Sequence, residues 1–286
     1  MSAAIKAFFD QSTFTYSYVV SDPKSSRAVI IDPVLDYDPA SGEISTASAD
    51  GLLHYVAAQN LVVDYILETH VHADHLTASH YLQPKLGAKV AIGANIGKVQ
   101  QTFAPRFNAG ENFATDGSQF DLLLAEGDTF NVGALEFSVL HTPGHTPACV
   151  TYLVADAAFV GDTMFMPDYG TARTDFPGGS AETLYDSLQK ILALPEQTRL
   201  FMCHDYLPPG RGEYQNETTV AAERNNVHLL GKTKAEFVAE RQQRDAKLAA
   251  PRLLLPSIQV NMRAGMLPGP ENNGVSYLKI PLRGEI

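Results

Sequence analysis

Thr69-His70-Val71-His72-Ala73-Asp74-His75 places four potential metal ligands within six positions and decides how the rest of the chain is read. The stretch follows an apolar, β-branched run, Val62 to Glu68, that reads as a strand. On extended backbone, side chains alternate, so His70 and His72 share one face. A turn after them lets Asp74 and His75 converge on the same space. Imidazole and carboxylate both bind borderline divalent cations, and this density of the two is what a metal site needs. A solvated polar turn accounts for one His or one Asp, and poorly for three histidines with an aspartate.

Further ligand candidates recur downstream, each at the end of a predicted strand. His141-Thr-Pro-Gly-His145 follows Leu135 to Leu140, Gly161-Asp162 follows Ala158 to Val160, and Cys203-His204-Asp205 follows Arg199 to Met202. Loops at strand ends are where rigid scaffolds carry chemistry. Each alone is weak evidence, and together they mark one metal centre. His141 reads as a strand-end residue, and His54, His80 and His228, without motif context, read as structural or exposed.

The remaining elements frame this set. Thr15 to Val20 and Arg27 to Asp32 flank a turn-forming Ser-Asp-Pro-Lys-Ser-Ser cluster and read as a hairpin. Asp50 is expected to cap a helix to about Gln59, and a second helix is expected from His75 to Leu86, ending at Gly87. Lys89 to Ile92 and Cys149 to Val154 read as strands. Leu135, Phe137 and Val139 alternate with Glu136 and Ser138, the period of a half-buried strand. Ser180 is expected to cap a helix to about Leu194. Strand-rich and mixed stretches alternate twice, which predicts an α/β protein with two sheets packed face to face and helices outside. From Glu213 the chain reads as helical and polar, then as a Pro/Gly-rich tail from Pro251. The expected division is a catalytic domain over 1–212 and an extension over 213–286 packed on it.

Composition excludes several partners. The formal charge is −11, with no cluster of Lys and Arg, so nucleic acid and anionic membranes are repelled over most of the surface. No run approaches the length of a membrane span, and Met1 to Phe9 lacks the pattern of a signal or transit peptide, so a cytoplasmic enzyme is expected. Two cysteines, Cys149 and Cys203, cannot build a disulfide framework and read as small buried side chains.

The order HxHxDH, Thr142-Pro-Gly-His145-Thr146, Gly161-Asp162 and a strand-end His204 resembles the metallo-β-lactamase superfamily over about the first three quarters of the chain. That resemblance implies an αββα sandwich with the ligands at one edge of the two sheets. It also implies that Asp32 supports the first ligand loop. Thr69 to Ser79 (THVHADHLTAS), Arg173-Thr-Asp-Phe176, His204-Asp-Tyr206 and Asn261-Met-Arg263 are similar to the persulfide dioxygenases of that superfamily. Their activity would be iron-dependent oxidation of glutathione persulfide with O2 to sulfite.

Carried over residue by residue, the resemblance implies one Fe(2+) per chain on His70, His145 and Asp162, a facial triad with three positions open. His72, Asp74, His75 and His204 would orient and tune it. Arg173 and Arg263 would take the glutathione carboxylates, Tyr206 would touch the substrate, and Asp175 would hold Arg173. A dinuclear zinc thioester hydrolase of the glyoxalase II type is the alternative, since every ligand for two metals is also present. A metal-binding sensor or scaffold without turnover is a third reading. A homodimer is compatible with all three.

Overall fold

A computed structural model describes residues 2–282. Met1 and the last four residues of the expected extension, 283–286, lie outside the described residues. The chain opens with β1 (Ala4–Asp10), β2 (Thr15–Ser21), β3 (Arg27–Ile31), β4 (Val34–Asp38) and β5 (Glu43–Ser45). Next come α1 (Ala47–Ala58), β6 (Val62–Leu67), β7 (Leu76–Thr77), α2 (Ser79–Leu86), β8 (Lys89–Gly93) and α3 (Ile96–Phe103). A strand-rich middle follows: β9 (Leu122–Leu124), β10 (Thr129–Val132), β11 (Leu135–His141), β12 (Val150–Val154) and β13 (Ala157–Phe159). The chain closes with α4 (Ala181–Leu192), β14 (Arg199–Phe201), β15 (Glu217–Thr219), α5 (Val220–Glu223), α6 (Lys234–Asp245) and α7 (Leu254–Asn261).

Two six-stranded sheets result, β1-β2-β3-β6-β8-β9 and β10-β11-β12-β13-β14-β15, with a small β5-β4-β7 sheet beside them. Strand β3 shows why they stack. Val29 and Ile31 enter the layer between the sheets with Tyr18, Phe137 and Phe159, while Ala28 and Ile30 pack under α1 and α2. A strand buried on both faces has no exposed face to alternate with: β3 is apolar after Arg27, and β2, TYSYVVS, is buried at every residue. On the far side, Leu184, Leu188 and Ile191 of α4 and Phe237 of α6 cover Ala158, Val160 and Leu200. The layers therefore run helix, sheet, sheet, helix: the expected αββα sandwich of the metallo-β-lactamase fold. No described helix is long and apolar enough to cross a membrane.

The structure corrects several expected boundaries. Helix α1 begins after Thr46, and Asp50 lies in its first turn, accepting from Thr46 Oγ1 at 2.8 Å instead of capping. Helix α2 begins at Ser79, not His75, because Leu76 and Thr77 are drawn out to pair with Leu35 and Val34 of β4. Ser180 does cap α4, its Oγ accepting from Thr183 N–H at 3.2 Å. The expected division at 212 falls inside the second sheet, between β14 and its antiparallel partner β15. We propose a division after Thr219 instead, which leaves the sheet whole. The tail expected from Pro251 instead contains α7. Pro256 is its third residue, in the first turn, where a missing N–H leaves no helical bond unmade.

Candidate metal centre

The first ligand loop leaves β6 and is fixed by Asp32, at the end of β3. Asp32 accepts from Thr69 N–H at 2.7 Å and from Thr69 Oγ1 at 2.8 Å. Having donated its proton to Asp32, the Thr69 hydroxyl can only accept from His70 Nδ1, 3.0 Å away. His70 is thus the Nδ1–H tautomer, and its buried Nε2 lone pair faces the centre without a protein partner. Burial, then the neighbouring histidines, push His70 well below the usual imidazole range, which keeps it a neutral ligand.

His145 is fixed by the same logic from the other sheet. Its Nδ1–H donates to the Arg173 carbonyl at 2.8 Å, which again leaves Nε2 free. Asp162 Oδ2 lies 3.8 Å from His70 Nε2 and 3.7 Å from His145 Nε2. The three residues are buried, with ligand atoms all within 4.8 Å of one another, so they could share one ion. Asp162 Oδ1 likewise has no hydrogen-bond partner among the described residues. Two lone pairs and a carboxylate converging in a buried place fit a divalent metal, since without one they would be stranded.

Glycine makes both downstream loops possible. Gly161 has φ +52°, and a Cβ there would lie 2.7 Å from Thr69 Cβ and Oγ1. Gly144 has φ +142°, and its Cβ would strike the Leu184 backbone at 2.4 Å. Only residues without a Cβ bring Asp162 and His145 this close to Thr69 and to α4.

His72 differs in that only Nδ1 is without a hydrogen-bond partner among the described residues. Its Nε2 is 3.0 Å from Asp32 Oδ1 and 3.4 Å from Glu68 Oε2. Burial opposes charge on it, but Asp32, then Cys203 and Glu68, hold it well above the usual imidazole range. His204 Nδ1 donates to the Phe14 carbonyl at 3.2 Å, and its Nε2 lies 3.3 Å from both Asp74 Oδ2 and Asp162 Oδ1. Burial opposes its charge too, and Asp74 and Asp162 outweigh burial, raising it well above the ordinary value. His75 Nδ1 is 3.5 Å from Asp74 Oδ2, and its Nε2 has no partner among the described residues. All seven predicted residues therefore meet in one cluster, buried except for the half-buried Asp74. Thr15, not singled out in the sequence, lies among them: its Oγ1 is 3.4 Å from His75 Nδ1 and 3.3 Å from His204 Nδ1.

A cavity of about 270 Å³ opens in front of Asp74, His145 and Asp162. Phe165, Tyr169, Phe176 and Tyr206 form its apolar walls. Tyr206 lines it as expected, stacked on His204 with centroids 5.6 Å apart. Arg173 also lines it, but its fork is already spent on Asp175 at 2.6 and 2.7 Å and on the Ala249 carbonyl at 2.8 Å. Arg263 is a correction. It does not line the cavity, because its guanidinium is held 4.3 Å over the Phe113 ring and donates to the Ala109 carbonyl at 3.2 Å. His228, read as structural or exposed, is buried and does line the cavity, with Nδ1 accepting from Thr171 N–H at 2.9 Å. His141 is the strand-end residue expected, 3.0 Å from the Pro147 carbonyl. Both cysteines are free and buried, also as expected.

Asn261, the first residue of the Asn261-Met-Arg263 stretch, braces the ligand loop. Its Oδ1 accepts from Thr77 N–H at 2.8 Å, while Nδ2 donates to the carbonyls of His72 and His75 at 2.9 and 2.8 Å. All three bonds go to the first ligand loop, so the C-terminal segment is part of the metal centre's frame.

The metallo-beta-lactamase superfamily model matches residues 12–204. The chain is 57% identical over 290 residues to a probable metallo-hydrolase of Burkholderia pseudomallei, covering 97% of this chain and 98% of that one. It is 53% identical over 278 residues to a beta-lactamase hydrolase-like protein of Agrobacterium fabrum, covering 97% of this chain but 64% of that longer protein. To the mitochondrial persulfide dioxygenase ETHE1 of Mus musculus it is 30% identical over 265 residues, 92% of this chain and 89% of that one. Among solved structures, ETHE1 from Myxococcus xanthus superposes with a TM-score of 0.74 at 32% identity, covering 92% of this chain and all of that one. With its fold, its ligand cluster and these relatives in agreement, the chain belongs to the metallo-beta-lactamase superfamily and is one of its enzymes.

Proposed function

We propose that the chain is a persulfide dioxygenase holding one Fe(2+) on His70, His145 and Asp162. It converts glutathione persulfide, O2 and water to glutathione and sulfite, with release of two protons. One observation carries the choice of a single metal. His70 and His145 both have Nδ1 committed and Nε2 facing Asp162, whereas His72 Nε2 is spent on Asp32. Two histidines and a carboxylate facing one another are the ligand set suited to non-heme ferrous iron. When bound, iron held by His70, His145 and Asp162 would supply the redox and Lewis-acid chemistry that the persulfide and O2 need.

The chain's own residues do the rest. Asp32 and Thr69 orient His70, and the Arg173 carbonyl orients His145. His204 Nε2 lies 3.3 Å from Asp74 and from Asp162, whose carboxylates favour the protonated ring, so it can place positive charge where an anionic product forms. Burial, then Asp162 and Asp74, hold the Tyr206 phenol well above its ordinary range, so it stays a neutral donor. Phe165, Tyr169 and Phe176 keep water from the reacting sulfur. The mouse relative named a persulfide dioxygenase and the RTDF stretch support this reading. A cytoplasmic location is part of the same proposal.

A dinuclear hydrolase is the second reading. His75 Nε2 and His204 Nε2 lack hydrogen-bond partners among the described residues, and Asp74 lies within 3.5 Å of both rings. The nearer relatives carry hydrolase names. Protein purified anaerobically should hold one iron per chain and consume O2 on glutathione persulfide, without hydrolysing S-lactoylglutathione. Two tightly held zinc ions with thioester hydrolysis would replace our reading by the second.

A further inference from the structure

Three arginines line the cavity before the metal centre, Arg173, Arg241 and Arg244, in a chain whose net charge is −11. Two of them are engaged. Arg241 is buried, forks Asp245 at 2.9 and 2.5 Å and donates to the Thr171 carbonyl at 3.0 Å. Arg173 is tied to Asp175 and to the Ala249 carbonyl. Arg244 differs. It lies in the last turn of α6, exposed at the rim, and among the described residues it has neither a carboxylate within ion-pair distance nor a side-chain hydrogen bond.

Its charge is felt inside the cavity. Burial first, then Arg244 and Arg241, pull the His228 imidazole down to about 3, so that His228 adds no competing positive charge. At the other end Asp74 and Asp162 line the floor. A substrate with a carboxylate arm is repelled from that floor and drawn to the rim, which orients its sulfur toward the metal.

We propose that Arg244 is the specificity-determining cation of this cavity, taking a carboxylate of a thiol-bearing substrate in a bidentate grip. The assignment rests on the glutathione-linked reading above and deepens it. A planar guanidinium matches a carboxylate with two parallel hydrogen bonds, and Arg244 surrenders no existing partner to make them. Arg173 would have to release Asp175. A cation in a last helical turn also complements the helix dipole, but that role has no bearing on ligand choice.

The test uses S-methylglutathione, which cannot be oxidised as a persulfide or hydrolysed as a thioester, and its diethyl ester, which keeps the ammonium but has no carboxylate. Each is titrated calorimetrically into metal-loaded wild type, Arg244→Lys and Arg244→Gln. Wild type should bind the diacid about tenfold more tightly than the diester. Arg244→Gln should erase that preference by weakening the diacid alone, and Arg244→Lys should keep part of it with a steeper loss in salt. A preference unchanged in Arg244→Gln overturns the proposal, as does equal weakening of both ligands or no binding to wild type. A shift in Tm without a change in preference would assign Arg244 to the helix dipole only. If the preference is found but no O2 is consumed on glutathione persulfide, the dioxygenase reading fails and the carboxylate site stands.

Discussion

The side-chain amide of Asn261 donates to the His72 carbonyl at 2.9 Å, joining positions 189 residues apart in sequence. The same amide serves His75 and Thr77, and Asn261 is itself buried. Replacing it with Ala strands two carbonyls and one N–H away from water. We expect Asn261→Ala to lower folding stability by about 2–4 kcal/mol and to weaken metal binding by about ten- to hundredfold. Asn261→Asp should be no better, because a carboxylate repels the two carbonyls that the amide served. Urea unfolding and metal content check both variants, and wild-type metal retention would show that the loop needs no such clamp.

His70→Ala, His145→Ala and Asp162→Ala should each lose iron and activity together, while His75→Ala keeps part of the iron. A triad reduced to two protein ligands competes poorly with water. Iron quantitation on the four purified variants decides the matter. Full iron in Asp162→Ala would remove it from the ligand set.

Gly161→Ala should destabilise the fold by about 1–3 kcal/mol, through a left-handed backbone and a clash with Thr69. Thr69 also fixes the His70 tautomer, so iron content should fall with stability. Urea midpoints and iron content of the variant check both, and iron kept at the wild-type level despite lost stability would show that the Thr69 contact does not shape the site.

Glu223 is buried, and burial pushes its carboxyl up to about 8; a bond from Asn226 opposes this, and nearby Asp168 adds to it. Its folded value lies above the ordinary 4.5, so the fold favours the protonated form. The resulting stability is full below pH 4.5 and is lost as pH rises through about 8, at about 1.4 kcal/mol per pH unit within that window. Between pH 5 and 8.5, wild type should therefore lose more stability than Glu223→Gln. Urea midpoints of both proteins across that range test it, with the metal-site titrations cancelling in the difference. Parallel curves would mean that Glu223 is ionised in the fold.

The metal centre was legible because ligand chemistry is dense and local. Four candidates stand at 70–75, and His145, Asp162 and His204 each follow a strand whose apolar run is visible. What escaped was set by partners far off in sequence. Leu76 and Thr77 look helical in their own neighbourhood, yet β4 and Asn261 hold them extended. Helix α7 was read as a Pro/Gly tail because composition says nothing of the buried cluster that Ile258, Val260 and Met262 join beneath α1 and α2. Strand β1, AIKAFFD, passed as a plain N-terminus because only its register with β2 makes it a strand. Arg263 was chosen by motif, and its motif neighbour Asn261 proved to be the one at the centre.

The Asn261 clamp also sets an order of events during synthesis. The ribosome releases His70 and His72 long before Asn261; at typical elongation rates of about 5–20 residues per second the interval is roughly 10–40 s. Throughout it the nascent chain carries a histidine-rich loop held by Asp32 alone, without the Asn261 clamp. Any cation captured then is chosen by cellular abundance and intrinsic affinity, not by the finished geometry. Which metal the mature enzyme holds thus depends on whether that early cargo can exchange once the last helix docks.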